Sequence, residues 1–302
     1  MNDIMELKNL DTFKEIALSK PQKVIAVAAA EDDNVLSAVA KAKSEGIATA
    51  VLVGNRAKIQ EIADEENIDI GDFEIIDEEI PALAAKNAVS IIRNGEAQIL
   101  MKGMVGTADF LRAVLNKEEG LREGALLSHI GFFEIEAYHK VIALTDAAQN
   151  IAPDLKEKTD IIKNAIKAFH NFGVQTPKIG ILAPVEVINP KMQSTVEAGL
   201  ITMMNRRGQI KGAIIDGPLA FDNIVSRESA EHKGIKSDVA GDADLIVAPN
   251  IESANAIYKS FTYFAGATVA AMVLGAAVPI ILTSRSDTDR SKLMSIALAA
   301  SY

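Results

Sequence analysis

Cysteine is absent from this sequence. That excludes disulfide frameworks, thiolate metal sites and a cysteine nucleophile, and it fits a reducing cytoplasm. Tryptophan is absent too, and aromatics make up 5% of residues, so the core must be Ala, Val, Ile and Leu. Such a core suits a parallel sheet covered by helices. The net charge is −10 with no basic stripe, which argues against a nucleic-acid partner. The N-terminal stretch MNDIMELKNLDTFKEIALSK carries acids throughout and no apolar h-region, so it does not read as a signal peptide. The four histidines, His129, His139, His170 and His232, show no HxxxH pattern, and no metal site is expected. Walker A, GxSxG and GxGxxG patterns are all missing. One long uncharged run, 264-FAGATVAAMVLGAAVPIIL-282, approaches bilayer length but is broken by Gly275 and Pro279. It reads as a buried helix, a glycine turn and a buried strand.

What is present alternates. Residues 23–30, 48–54, 73–77 and 98–103 read as strands. Residues 33–46, 55–66, 80–96 and 106–118 read as helices, the last opening on a Thr or Asp cap. The second half repeats the theme less regularly. It has two strands within 132–146, strands at 178–183, 210–217 and 244–249, and a strand ending at Thr283. Its helices are 154–173, 191–208, 252–266 and 289–301. Repeated βα units predict an α/β fold with a doubly wound parallel sheet. At 302 residues the chain suffices for two domains, and no low-complexity linker separates them.

Ligands of open parallel sheets sit at the carboxyl ends of strands. Four such ends carry unusual residues: 101-MKGMVGTAD-109, 216-DGPLAFD-222, 248-APNIESAN-255 and TSRSDTD after Leu282. The first joins Lys102 to two glycines and a helix start at Thr107, a combination that favours an anion. A glycine-rich turn with a surface lysine is the plainer alternative. Arg112 follows on that helix, and a surface arginine paired with an acid is its alternative. Ser237 and Asp238 stand among small residues in 237-SDVAGDAD-244, which by themselves read as a capped turn more readily than as a ligand loop.

Five ordered segments resemble the phosphate acetyl/butyryl transferases: 107-TADFLRAVL-115, 145-TDAAQNIAPDL-155, 216-DGPLAFDNIVS-226, 237-SDVAGDADLIVAPNIESANAIYK-259 and 279-PIILTSRSDT-288. The resemblance covers nearly the whole chain, and TDAAQNIAP points to the butyryl branch. It implies a two-domain α/β/α fold similar to the isocitrate and isopropylmalate dehydrogenases, with the active site in the cleft between domains. The first domain would comprise residues 1–127 plus 275–302 and the second 128–274. The implied reaction is butanoyl-CoA plus phosphate giving butanoyl phosphate plus CoA, with acyl-CoA, inorganic phosphate and acyl phosphate as partners. No bound cofactor or metal is implied. A homodimer or larger homo-oligomer is, in the cytoplasm and away from membranes. Alternatives are a phosphate acetyltransferase of shorter or broader acyl range, or a non-catalytic acyl-CoA-binding homologue.

The same resemblance assigns roles at the polar cluster after Leu282. Ser284 would donate to the carbonyl or its oxyanion, and Arg285 would hold phosphate with its planar fork. The family's aspartate base, counted from Ser284 without a gap, falls on Ser291. Asp289 is the expected base instead, with Asp287 second, and either could cap the last helix. Lys102, Thr107 and Arg112 match the family's phosphate-side loop and helix, and Ser237 and Asp238 its second-domain loop.

Overall fold

The structure is a computed structural model that describes residues 6–124, 126–282 and 287–302. The chain divides into two compact units, Asp11–Ala125 with Ala270–Tyr302, and Met1–Leu10 with Leu126–Val269. Elements are numbered through the chain.

The first unit alternates as anticipated. It contains α1 (Asp11–Leu18), β1 (Lys23–Ala28), α2 (Asp33–Ser44), β2 (Ala48–Gly54), α3 (Arg56–Glu65), β3 (Glu74–Asp77), α4 (Pro81–Arg93), β4 (Ile99–Lys102) and α5 (Thr107–Val114). The C-terminal segment adds β10 (Thr268–Leu274, from Ala270 on), β11 (Ile280–Ile281) and α11 (Asp289–Ser301). Strand order is β3-β2-β1-β4-β11-β10. β1 pairs in parallel with β2 and β4, so it lies inside the sheet and its apolar run is covered on both faces. Local chemistry sets the helix ends. Asp32 caps α2 by accepting from Val35 N at 2.9 Å, and Gly46 stops it at φ 74°. α11 is buried on every side from Ser291 to Ser301, as a helix without a charged stripe must be.

The second unit contains β5 (Ser128–Glu134), β6 (Ile142–Thr145), α6 (Leu155–Asn171), β7 (Lys178–Leu182), α7 (Gln193–Arg206), β8 (Ile214–Leu219), the short α8 (Phe221–Val225) and α9 (Arg227–His232), β9 (Leu245–Val247) and α10 (Ile251–Tyr263). Its strand order is β5-β6-β9-β7-β8. β6, β9, β7 and β8 run in parallel, and β5 runs against β6. α6 starts on a capping box, Asp154 with Glu157, and stops before Gly173 at φ 92°.

Two expectations are corrected. The run 264–282 contributes no buried helix: α10 ends at Tyr263 and 268–274 is strand β10, antiparallel to β11 through Val273 and Ile280. Its small apolar residues lack a polar face, and an inner strand satisfies seven such residues as well as a helix would. The cap of α5 is Gly106, with no side-chain hydrogen bond, rather than a threonine or aspartate. Among the described residues, no helix is long and apolar enough to cross a membrane.

Candidate active site

In the first unit, two strand ends meet. β11 pairs in parallel with β4, Ile280 opposite Leu100 and Ile281 opposite Met101. Lys102 therefore ends its strand level with Leu282, where the polar cluster begins. Ser284 and Arg285 lie outside the described residues. The loop after β4 is held tightly: Gly103 N donates to Ala28 O at 2.9 Å and Met104 N to Ala29 O at 2.6 Å. A Cβ on Gly103 would stand 2.0 Å from Ala29 O, so this crossing admits only glycine. Lys102 is half-buried, and its Nζ donates to Gly103 O at 3.1 Å. Thr107 opens α5 on the exposed side.

Arg112 is exposed and ion-paired with Asp109 on the same helix. It lines a groove of about 490 Å³ between α4 and α5 that also contains Lys86 and Arg93. The two aspartates flank a cap that neither supplies. Thr288 caps α11, its hydroxyl accepting from Ser291 N at 3.2 Å. Asp289 is the first helical residue, exposed, 3.9 Å from the buried ammonium of Lys292, which donates to Asn34 Oδ1 at 2.8 Å. Asp287 is half-buried just before the cap.

In the second unit, Ser237 makes a turn. Its hydroxyl accepts from Val239 N at 3.1 Å and Ala240 N at 3.2 Å, while Asp238 is exposed beside it. The carboxyl ends of β7, β8 and β9 open onto a cavity of about 980 Å³. Leu182, Ala183, Ala220, Phe221 and Pro249 give it apolar walls, and Gln193, Ser194 and Asn250 polar ones. Lys158 of α6 and Glu197 of α7 also line it and form a buried ion pair. Gln193 Nε2 donates to the other Glu197 oxygen at 3.1 Å.

At the same sheet edge, His129 and Asp146 are both buried. Burial pushes the His129 imidazole below its ordinary value, and the Asp146 charge opposes this without cancelling it. Asp146 accepts from Ala148 N at 3.0 Å, Gln149 N at 2.9 Å and Asn150 Nδ2 at 2.6 Å. His129 Nδ1 has no hydrogen-bond partner among the described residues.

The cavity and its ion pair are absent from the sequence reading, yet a signal existed. Lys158 sits on the apolar stripe of α6 with Ile161, Ile162 and Ala165, and Glu197 on that of α7 with Ala198 and Ile201. A charge on a core stripe needs a partner.

The fold is that of a class, the phosphotransacylases. A solved branched-chain phosphotransacylase from Enterococcus faecalis V583 superposes with a TM-score of 0.82 at 33% identity, covering 93% of this chain and 98% of that one. A 4-hydroxythreonine-4-phosphate dehydrogenase from Burkholderia phymatum shares the fold alone, with a TM-score of 0.56 at 16% identity over 93% of this chain and 98% of that one. This agrees with the dehydrogenase-like architecture implied above.

Within that class, the phosphate acetyl/butaryl transferase family model matches residues 10–85 and 78–300, and the chain belongs to this enzyme family. It is 47% identical over 293 residues to the phosphate butyryltransferase of Clostridium beijerinckii, 97% of each chain.

Proposed function

We propose that this protein moves a butanoyl group between CoA and inorganic phosphate. The observation that carries the reading is 47% identity to a phosphate butyryltransferase over 97% of each chain. The strand-end chemistry supports it. Starting from butanoyl phosphate and CoA, the CoA thiol loses its proton to a carboxylate, and the thiolate attacks the carbonyl carbon. The C–S bond forms, the bond from carbon to the bridging phosphate oxygen breaks, and phosphate leaves with that electron pair. The base must be an accessible carboxylate near the end of β11. Asp289 fits because it is exposed at the start of α11, and Asp287 is second. Ser284 is assigned to the oxyanion and Arg285 to the departing phosphate. Lys102 and the uncapped start of α5 at Thr107 supply further positive character on the phosphate side, with Arg112 behind them. Ser237 and Asp238 are assigned to the CoA side.

The reaction needs no resident metal or cofactor. A homo-oligomer in the cytoplasm is part of the same reading, supported by the family resemblance and the lack of cysteine. The test is thiol release from acetyl-, propionyl-, butanoyl- and isobutanoyl-CoA, with and without phosphate, for wild type and Asp289→Asn. Phosphate-dependent release that peaks at four carbons and collapses in the variant is expected. Release that survives in the variant moves the base to Asp287. A peak at two carbons makes the protein a phosphate acetyltransferase, and no release makes it an acyl-CoA-binding homologue.

A further inference from the structure

At the amino end of β1, the first unit holds two lysines close together. The segment 19-SKPQK-23 joins α1 to β1 and sets Lys20 and Lys23 three residues apart. Pro21 between them fixes its own φ and restricts the residue before it, which is Lys20. Lys20 Nζ donates to Ser301 O, at the end of α11, at 2.5 Å. Lys23 is the first residue of β1, opposite Ala48 of β2. The residue after it is tied to Gln98 by two bonds. Val24 N donates to Gln98 Oε1 at 3.1 Å, and Gln98 N donates to Val24 O at 2.9 Å. The backbone therefore holds the two ammoniums near each other.

Their surroundings differ from those of other lysines. Lys14, Lys43, Lys156 and Lys233 each pair with a carboxylate. Among the described residues, Lys23 pairs with no carboxylate, and the one charge acting on it is that of Lys20. It is half-buried, so its ammonium is partly out of water but still reachable. Burial first, and then the Lys20 charge, push the Lys23 ammonium below the ordinary lysine value. A lysine held beside a second cation and partly desolvated is an activated nucleophile, because more of it stands as the neutral amine.

We propose that Lys23 is acylated by butanoyl phosphate, with the Lys20 ammonium attracting the donor's phosphate. The proposal rests on the acyltransferase reading above for its donor. The neutral Lys23 Nζ attacks the carbonyl carbon, and a C–N bond forms. The bond from that carbon to the bridging phosphate oxygen breaks, and phosphate leaves with the electron pair. The nitrogen's surplus proton goes to water. The product is an uncharged butanamide, so the repulsion between the two lysines disappears with the modification. An acyl-CoA is the poorer donor here, because its thioester has no charge beside the carbonyl for Lys20 to attract. Lys23 lies at the opposite end of the sheet from the loop after β4, so the modification does not touch Lys102 or Thr107.

The experiment adds synthetic butanoyl phosphate to the purified protein and reads each lysine by peptide mass spectrometry, from neutral pH to about pH 10. Lys156 is the internal reference, an exposed lysine with an acid one turn away. Lys23 should label faster than Lys156 at neutral pH, with its rate curve shifted to lower pH. Lys20→Gln should slow Lys23 towards the reference and move its curve back up, and Lys20→Arg, which keeps the charge, should not. Lys23→Arg should lose the label and keep phosphate-dependent thiol release unchanged. Equal labelling of Lys23 and Lys156 in wild type overturns the proposal. So does labelling of Lys23 at the same rate by butanoyl-CoA without phosphate, or a Lys23 curve that Lys20→Gln leaves in place. Because the donor is added directly, these results decide Lys23 whether or not the enzyme makes it. Failure of the acyltransferase reading shows separately, as no phosphate-dependent thiol release from butanoyl-CoA.

Discussion

The two edges of the second unit's sheet each bury a lysine, and they treat it differently. At the amino edge, Lys140 has three acceptors: Asp242 O at 3.0 Å, Asp242 Oδ1 at 3.0 Å and Asp244 Oδ1 at 2.6 Å. Its carboxylate partners are also fully engaged. Asp244 Oδ2 accepts from Lys178 N at 2.7 Å, and Asp242 takes the Lys178 ammonium and lies 2.9 Å from His139 Nε2. Tyr138 closes the corner by donating to Ala243 O at 2.8 Å. At the carboxyl edge, Lys158 has Glu197 and a cavity. The lesson is that burial of a charge does not reveal its purpose, but the count of satisfied donors does. A closed network staples strands, and an open one leaves donors without a protein acceptor.

The sharpest way to break this contrast is to remove each lysine. Lys140→Met removes the ammonium paired with Asp244 and leaves Asp242 with Lys178, and it should cost about 3–5 kcal/mol in denaturant unfolding, with KM for butanoyl-CoA unchanged in the folded fraction. The double variant Lys158→Met/Glu197→Leu should be neutral or gain up to about 1–4 kcal/mol. A stability loss in the double variant equal to that of Lys140→Met would erase the distinction.

Acid titration sharpens it next, because each edge has its own limb. Burial opposes the Asp242 charge, but hydrogen bonds from Lys178, His139 and Lys140 outweigh it and hold its carboxyl well below the usual range. Its contribution is complete above the unfolded value of about 3.9 and is lost as pH falls through the lower folded value. At the other edge, burial holds His129 neutral in the folded chain. The unfolded chain takes up that proton first, so stability falls as pH drops below about 6.5. Urea midpoints between pH 7 and 3 should show both limbs. Asp242→Asn should flatten the more acidic one, and His129→Phe the one nearer neutrality.

The smallest expected change is at the start of α6. Asp154→Ala removes half a capping box and should cost about 1 kcal/mol. The same substitution takes a carboxylate from the cavity wall, and it should leave the acid limb of Asp242 intact.

Much of this was legible beforehand because it is written in short-range chemistry. The βα alternation, the bounds of α11 and the stop at Gly173 follow from periodicity and caps. β10 was missed because Thr268–Leu274 is apolar on both sides, and a run without a polar face carries no period to read. The cavity was missed for another reason. Lys158 and Glu197 are 39 residues apart, and nothing local says that the stripes of α6 and α7 converge. The loops carrying Lys102 and the end of β11 were recognised singly, and the parallel register of Ile281 with Met101 is what sets them side by side.

The insertion of β11 between β4 and β10 has a consequence for synthesis. The ribosome delivers β1 to β4 early, yet the strand beside β4 and the helix that packs on α1 and α2 emerge only after the second unit. The first unit therefore waits, with one edge of β4 and the faces of α1 and α2 uncovered, while the whole second unit is translated and can fold. A nascent chain stalled before Pro279 presents a hydrophobic surface that β11 and α11 would otherwise cover. Chaperone demand for this protein should thus concentrate in the interval between synthesis of β4 and synthesis of α11.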